Sequence, residues 1–256
     1  GAAAATNAIS GGNTDITGAS VTLDNGNIAG NLTLNALAGN IDSNGTVVVG
    51  NAIDLDATGD AGFSDLTAQA GTIAITAGGS INGGNLTAAN NISLDAGNIA
   101  IANNIAAATL TTNSGDILVS AAQDIALGSA ATSAGTPTAG SIGLLAGNNI
   151  ASTGSLDAGE DVAIRALGDV ALTTASAGDD MSVDADGAIS LTSATTSGTG
   201  IDLFALAFNT ANAGQAGSIA FAAETLTGSN IQLDSGTDVT ATGTLNAIDN
   251  ISITAT

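Results

Sequence analysis

Apolar and polar residues alternate along most of this chain in short runs that stop and restart. The stretch "NNISLDAGNIAIANNI" (90–105) shows the pattern. Ile92, Leu94 and Ala96 alternate with Ser93 and Asp95, Gly97 and Asn98 interrupt, and Ile99 and Ile101 resume. A period of two marks a half-buried strand, with the apolar set facing inward. Gly and Asn tolerate turn conformations at small cost and so read as corners.

One phrase, (Ile/Val/Met)-x-(Leu/Ile/Val)-x-(Ala/Ser), recurs through the chain. It begins at Ile53, Ile73, Ile92, Ile117, Ile142, Val162, Met181, Ile201, Ile231 and Ile251, a base period of about 20 residues. A shorter strand precedes it, as at Leu66, Leu86 and Leu156, and another follows it, as at Ile81, Ile125 and Val170. Equivalent strands one period apart fit coiling better than hairpins, because each turn can then lie on the turn below in parallel register. The expected fold is all-β: a parallel β-helix, or β-solenoid, of triangular section. Right-handed coiling is expected by analogy with crossover connections. About 12 coils at roughly 4.8 Å each give a rod roughly 55–60 Å long. Residues 1–256 read as a single domain of this kind. Before Val47 the phrase blurs and coils cannot be divided over 1–46. Corner loops are expected near 103–109, 129–139 and 205–216, where the period lengthens.

Composition supports many small layers rather than one wide core. Hydrophobic residues make up 44% of the chain but aromatics only 2%, so Ala, Ile, Leu and Val must fill the interior. Of the aromatics, Phe221 is expected in the core, while Phe204 falls outward and Phe208 in the following loop. Leu118 and Leu145 also fall outward, on adjacent coils, where the loop 129–139 could cover them.

Charge narrows the function. The net charge is -22, with Arg165 the only base. Nucleic-acid binding needs basic residues to displace phosphate counterions, and docking on anionic lipid needs the same, so both are excluded. No 18-residue apolar run suggests membrane insertion. Neither Cys nor His is present, which removes disulfides, thiolate sites and the commonest metal ligand. Arg165 sits at the fourth position of its phrase, between Leu145 one coil before and Asp184 one coil after. In a stacked register these three are neighbours, so Arg165 is expected to face outward over Leu145 and pair with Asp184.

Carboxylates are the remaining candidates for chemistry. Clusters occur at Glu160/Asp161 and at Asp179, Asp180, Asp184 and Asp186. Paired acids can serve a β-helical polysaccharide enzyme, but Trp, Tyr and Lys are absent, so the expectation is no enzyme. A candidate calcium site is Asp54, Asp56, Asp60 and Asp65, which hold positions 1, 3, 7 and 12 of a loop-like spacing with Gly59 at position 6. Asp54 and Asp56 also belong to a strand phrase, which argues against a wrapped loop. Apart from calcium, no cofactor is expected. A further candidate is the outward face of the third strand: Ala100, Ala126, Ala151, Ala171, Ser190 and Thr240, with Thr153, Thr173, Thr192 and Thr242 beside them. Flat, uncharged faces of this kind suit packing against another rod or, less simply, ice.

The phrases "NISLDAGNI" and "GDVALTTASAG" resemble the repeats of filamentous-haemagglutinin-type exoproteins of two-partner secretion, which follow the style G-N-I-x-L-x-A-G-x-I. The resemblance covers about residues 47–256. It implies a structural rod segment of a secreted bacterial fibre or adhesin, displayed at the cell surface. Its partners would be a host or neighbouring-cell surface, or other copies of the fibre. An Asn-Pro-Asn-Gly secretion signature is missing, so the resemblance points to stalk. Two rival readings are an ice- or calcium-binding solenoid and a carbohydrate-active β-helix.

Overall fold

The alternating phrases do form strands, and the strands stack. The computed structural model describes residues 1–96, 104–132, 140–196, 202–207, 219–221, 225–241 and 244–255. In chain order the early turns are β1 (Ala3–Ser10) with β2 (Thr14–Gly18), β3 (Val21–Ile28) with β4 (Leu32–Ala36), and β5 (Ile41–Val49) with β6 (Ile53–Ala57). Then come β7 (Ala61–Ala68) with β8 (Ile73–Ala77), and β9 (Ile81–Ala88) with β10 (Ile92–Ala96). The middle turns are β11 (Asn104–Thr112) with β12 (Ile117–Ala121), β13 (Asp124–Ala131) with β14 (Ile142–Ala146), and β15 (Ile150–Ala158) with β16 (Val162–Ala166). The later ones are β17 (Val170–Ala177) with β18 (Met181–Ala185), and β19 (Ile189–Thr196) with β20 (Asp202–Ala207). The last are β21 (Ile219–Phe221) with β22 (Thr225–Ser235), and β23 (Val239–Ala241) with β24 (Thr244–Ala255).

Every pairing is parallel and runs from one turn to the next. Ile53 pairs with Ile73, Ile73 with Ile92, Ile92 with Ile117, and so on up the even-numbered ladder. The odd-numbered ladder runs alongside it, as Ile81–Ile105–Ile125–Ile150–Val170–Ile189. The chain is thus a β-solenoid with turns about 20 residues apart. Ten turns, β1 to β20, keep a two-strand plan; the last two keep the ladders but run one corner into the strands β22 and β24.

Facing follows the phrase. Ile53, Leu55 and Ala57 are buried while Asp54 and Asp56 are exposed, and the same alternation holds in β10 and β16, and in β18 with Asp184 half-buried. The odd strands differ from the expectation of two separate short strands. Each runs through as one strand of mostly eight or nine residues, and its inward parity flips in the middle: Ala61 and Phe63 face in, then Leu66 and Ala68. A strand whose facing flips has bent at that point, so the corner survives without a break in the pairing. The section therefore has three faces. Among the described residues, its interior is one continuous cluster of aliphatic layers and Phe63, running from Val21 to Ala194 and including Ile231 and Leu233.

Several boundaries move. The 1–46 region is not a blur: Ala3 pairs with Val21, Val21 with Ile41, and Ile41 with Ala61. The phrase is present there as "TDITG" and "LTLNA", with Thr14 and Leu32 in the first position. The expected loop at 103–109 is mostly strand. Ile105, not Ile99, pairs with both Ile81 and Ile125, so the extra residues precede Asn104, in 97–103, outside the described residues. In 129–139, Ser129–Ala131 finish β13 and 133–139 lie outside the described residues. In 205–216, residues 205–207 finish β20, and Phe208 with the rest lies outside. The phrase near Ile201 is also displaced by two residues: Met181 pairs with Leu203, so the repeat unit is "LFALA" rather than "IDLFA". Both frames alternate equally well, so only the ladder distinguishes them.

Candidate binding face

The outer surface of the even-numbered ladder carries two rows of side chains, from the second and fourth residues of each phrase. The rows start acidic, at Asp15, Asp54, Asp56 and Asp95. Between β12 and β16 the acids stop. There the second row reads Leu118, Gly143, Ala163 and the fourth reads Ser120, Leu145, Arg165. Leu118 and Leu145 are 52% and 51% exposed, and Leu167, just past the end of β16, is 55% exposed. The loop expected to cover Leu118 and Leu145 falls largely outside the described residues. A shallow groove of about 590 Å³ runs across β10 to β18, with Leu118 and Leu145 in its walls and Arg165 and Asp184 at one end. A second depression of about 400 Å³ adjoins it between Leu145 and Leu167, floored by Ala121, Ala146 and Gly147.

Arg165 stands where its register predicts. It pairs in the ladder with Leu145 below and Asp184 above, its side chain is half exposed, and its guanidinium forms an ion pair with the Asp184 carboxylate. An exposed pair of this type contributes about 0–1 kcal/mol. Leucines on an outward strand position bury nothing within their own turn. Two of them, with Gly143 and Ala163 beside them, give the groove its apolar character.

The candidate calcium residues are not gathered. Asp54 and Asp56 project from β6, Asp60 sits in the corner after it, and Asp65 lies on β7 past the bend. Asp60 is already used: its Oδ1 accepts the Ser80 N–H at 2.8 Å. Asp65 Oδ1 accepts from the Asn85 amide at 2.9 Å. Among the described residues no three acidic side chains form a group able to hold a metal ion. The loop-like spacing is laid over a strand, a corner and another strand, which does not bring the four residues together.

Most corner acids and amides instead form ladders that tie turn to turn. Asn40 Oδ1 accepts from the Asp60 N–H, and Asp60 Oδ1 in turn from the Ser80 N–H. Higher up, Asp124 accepts from Asn149 N–H, Asn149 from Asp169 N–H, and Asp169 from Ala188 N–H, at 2.8–3.0 Å. The opposite corner repeats this from Asn91 through Asp116, Ser141 and Asp161 to Asp180. This gives the Asp161 carboxylate of the acidic clusters a structural role, as acceptor of the Asp180 N–H. The corner asparagines Asn40, Asn91 and Asn149 all accept backbone N–H groups of the next turn. A glycine precedes many of these positions. A Cβ on Gly59, Gly115, Gly168 or Gly187 would overlap the Asx oxygen of the turn below. The Gly-Asx pair is thus one device, the glycine leaving room for the oxygen its neighbour's N–H must meet.

The flat face of the odd ladder is also present. Ala126, Ala151, Ala171 and Ser190 are successive rungs and all are exposed, while Ala100 and Thr242 lie outside the described residues. Thr153 and Thr173 donate their hydroxyls to the Leu127 and Ser152 carbonyls of the turn below, so these two are engaged with the backbone. No protein-family model, no curated protein and no solved structure matches this chain.

Proposed function

We propose that this chain is a rigid structural segment of a bacterial surface fibre of the filamentous-haemagglutinin kind, secreted and displayed outside the cell, and not an enzyme. The observation that carries the reading is the pair of in-register ladders that join every turn to the next, reinforced at the corners by Asx oxygens. Such an assembly resists bending because each turn is held by backbone bonds along two strands and by side-chain bonds at the edges. Its work is spacing: it holds whatever it bears at a fixed distance and orientation. Strong negative charge favours the solubility of such rods outside the cell. The partners of the fibre would be a host or neighbouring-cell surface, or further copies of itself.

The test uses the organism that makes the protein. Antibody raised against this chain should label intact, unpermeabilised cells, and protease added outside should remove the signal. Labelling that requires permeabilisation, with the protein found only in the soluble cell fraction, would overturn the reading.

A further inference from the structure

We propose that the outer face of the even-numbered ladder is a self-association surface, on which two copies of this chain pack face to face with their rods antiparallel. The occupant of the groove is a second copy because the face is complementary to itself. A two-fold axis parallel to the strands and passing between β12 and β14 keeps second-position residues opposite second-position residues, and fourth opposite fourth. Leu145 then meets Ser120 of the other copy, a large side chain opposite a small one, while Leu118, which leans over Gly143 of its own chain, falls opposite Gly143 of the other. One rung further out, Arg165 comes opposite Asp95 of the other copy, twice by symmetry. The guanidinium already holds Asp184 of its own chain and would be shared with a second carboxylate.

The remaining rungs obey the same operation. Asp184 falls opposite Thr76, the positions of Asp54 and Asp56 fall opposite those of Phe204 and Leu206, Asp234 opposite Asn35, and Asp15 opposite Ser252. No acid of this face meets an acid. The other way of stacking the faces, with rods parallel, sets Asp54 against Asp56 of the other copy and Arg165 against Ala163. Charge therefore selects the antiparallel arrangement, as it does at interfaces generally. Twelve rungs at about 4.8 Å and five residues at about 3.3 Å give roughly 900 Å² per copy, near the roughly 800 Å² per partner of a standard interface. The proposal concerns this face alone and holds whether or not the rod belongs to a fibre.

Sedimentation equilibrium of the intact chain, 24.0 kDa as a monomer, reads the state. A dimer is expected, and because it joins two copies of charge -22 it should tighten as NaCl is raised. Leu145→Asp should weaken dimerisation at least about tenfold, equivalent to about 1.4 kcal/mol, while the monomer stays folded by circular dichroism because the residue faces outward. Arg165→Asp and Asp95→Arg should each weaken it, and the doubly exchanged variant should restore it. Direction is read by mixing Arg165→Cys with Asp95→Cys in a chain that has no cysteine of its own. A mixed disulfide should form in preference to either homodisulfide. A monomer at all salt concentrations, a folded exchanged variant that stays monomeric, or homodisulfides dominating the mixture would each overturn the proposal.

Discussion

Phe63 shows how far one side chain governs its neighbours in a stack of single-residue layers. Its ring lies over the backbone of Gly83 in the next turn, where a Cβ would collide with ring carbons. Below it, the same inward row holds Ser43. A large residue is thus accommodated by two small ones, above and below. Gly83→Ala should cost about 1–3 kcal/mol, read as a lower denaturation midpoint, because the ring must leave its place. Ser43 has a buried hydroxyl with no hydrogen-bond partner. Ser43→Ala removes that orphan and should raise stability by about 1 kcal/mol, measured the same way. A loss of stability there would show that the hydroxyl is satisfied by water. Phe63 was not readable as a core residue from the phrase, because it lies in the strand whose parity flips. By contrast Arg165 and its partner Asp184 were readable, because both sit in phrases whose frame is unambiguous.

Among elements, the corners specify the register most sharply. Asn149 accepts from the Asp169 N–H, and its oxygen lies where a Cβ on Gly168 would go. Asn149→Ala should cost about 1 kcal/mol by leaving that N–H to solvent. Gly168→Ala should cost more in the native background than beside Asn149→Ala, where the nearest obstructing oxygen is gone and the farther Asn148 Oδ1 remains. Chemical denaturation of the two single variants and the double tests this, and additive costs would contradict the steric account. The strands themselves were legible because Ile-x-Leu-x-Ala states its facing at every position. The corner ladders were only half legible. Gly-Asn and Gly-Asp read as turn signals, but the reason for the glycine lies one turn below, about 20 residues away, beyond any local window. The same limit misplaced the phrase near Ile201, where "IDLFA" and "LFALA" alternate alike and only pairing with Met181 decides.

At the scale of the molecule, charge opposes compactness. Stacked turns hold 23 acids against one base, many of them repeating at the same corner in successive rungs. Raising NaCl from about 10 to 300 mM, which shortens the screening length from roughly 30 Å to well under 10 Å, should raise the thermal midpoint. Ca²⁺ should do so more strongly at equal ionic strength through its double charge. A midpoint that does not move with either would show that the acids are too well spaced to repel. The candidate binding face was legible only as exceptions to the phrase, Leu118 and Leu145 in outward positions; that they share a groove with Arg165 depends on the stacking of five separate turns.

One-to-one pairing between turns also makes this a molecule that counts. Val162 lies on Met181, so residues 162–180 are one complete unit, and removing them would seat Met181 where Val162 now lies without disturbing any other facing. Removing half as many would turn the following apolar residues into a corner. Length can therefore change only in quanta of one turn, about 4.8 Å at a time. Each quantum added or lost also advances or sets back, by one rung, every feature on the faces relative to the ends. Duplication of a whole turn is then the smallest edit that lengthens the rod and leaves its three surfaces continuous.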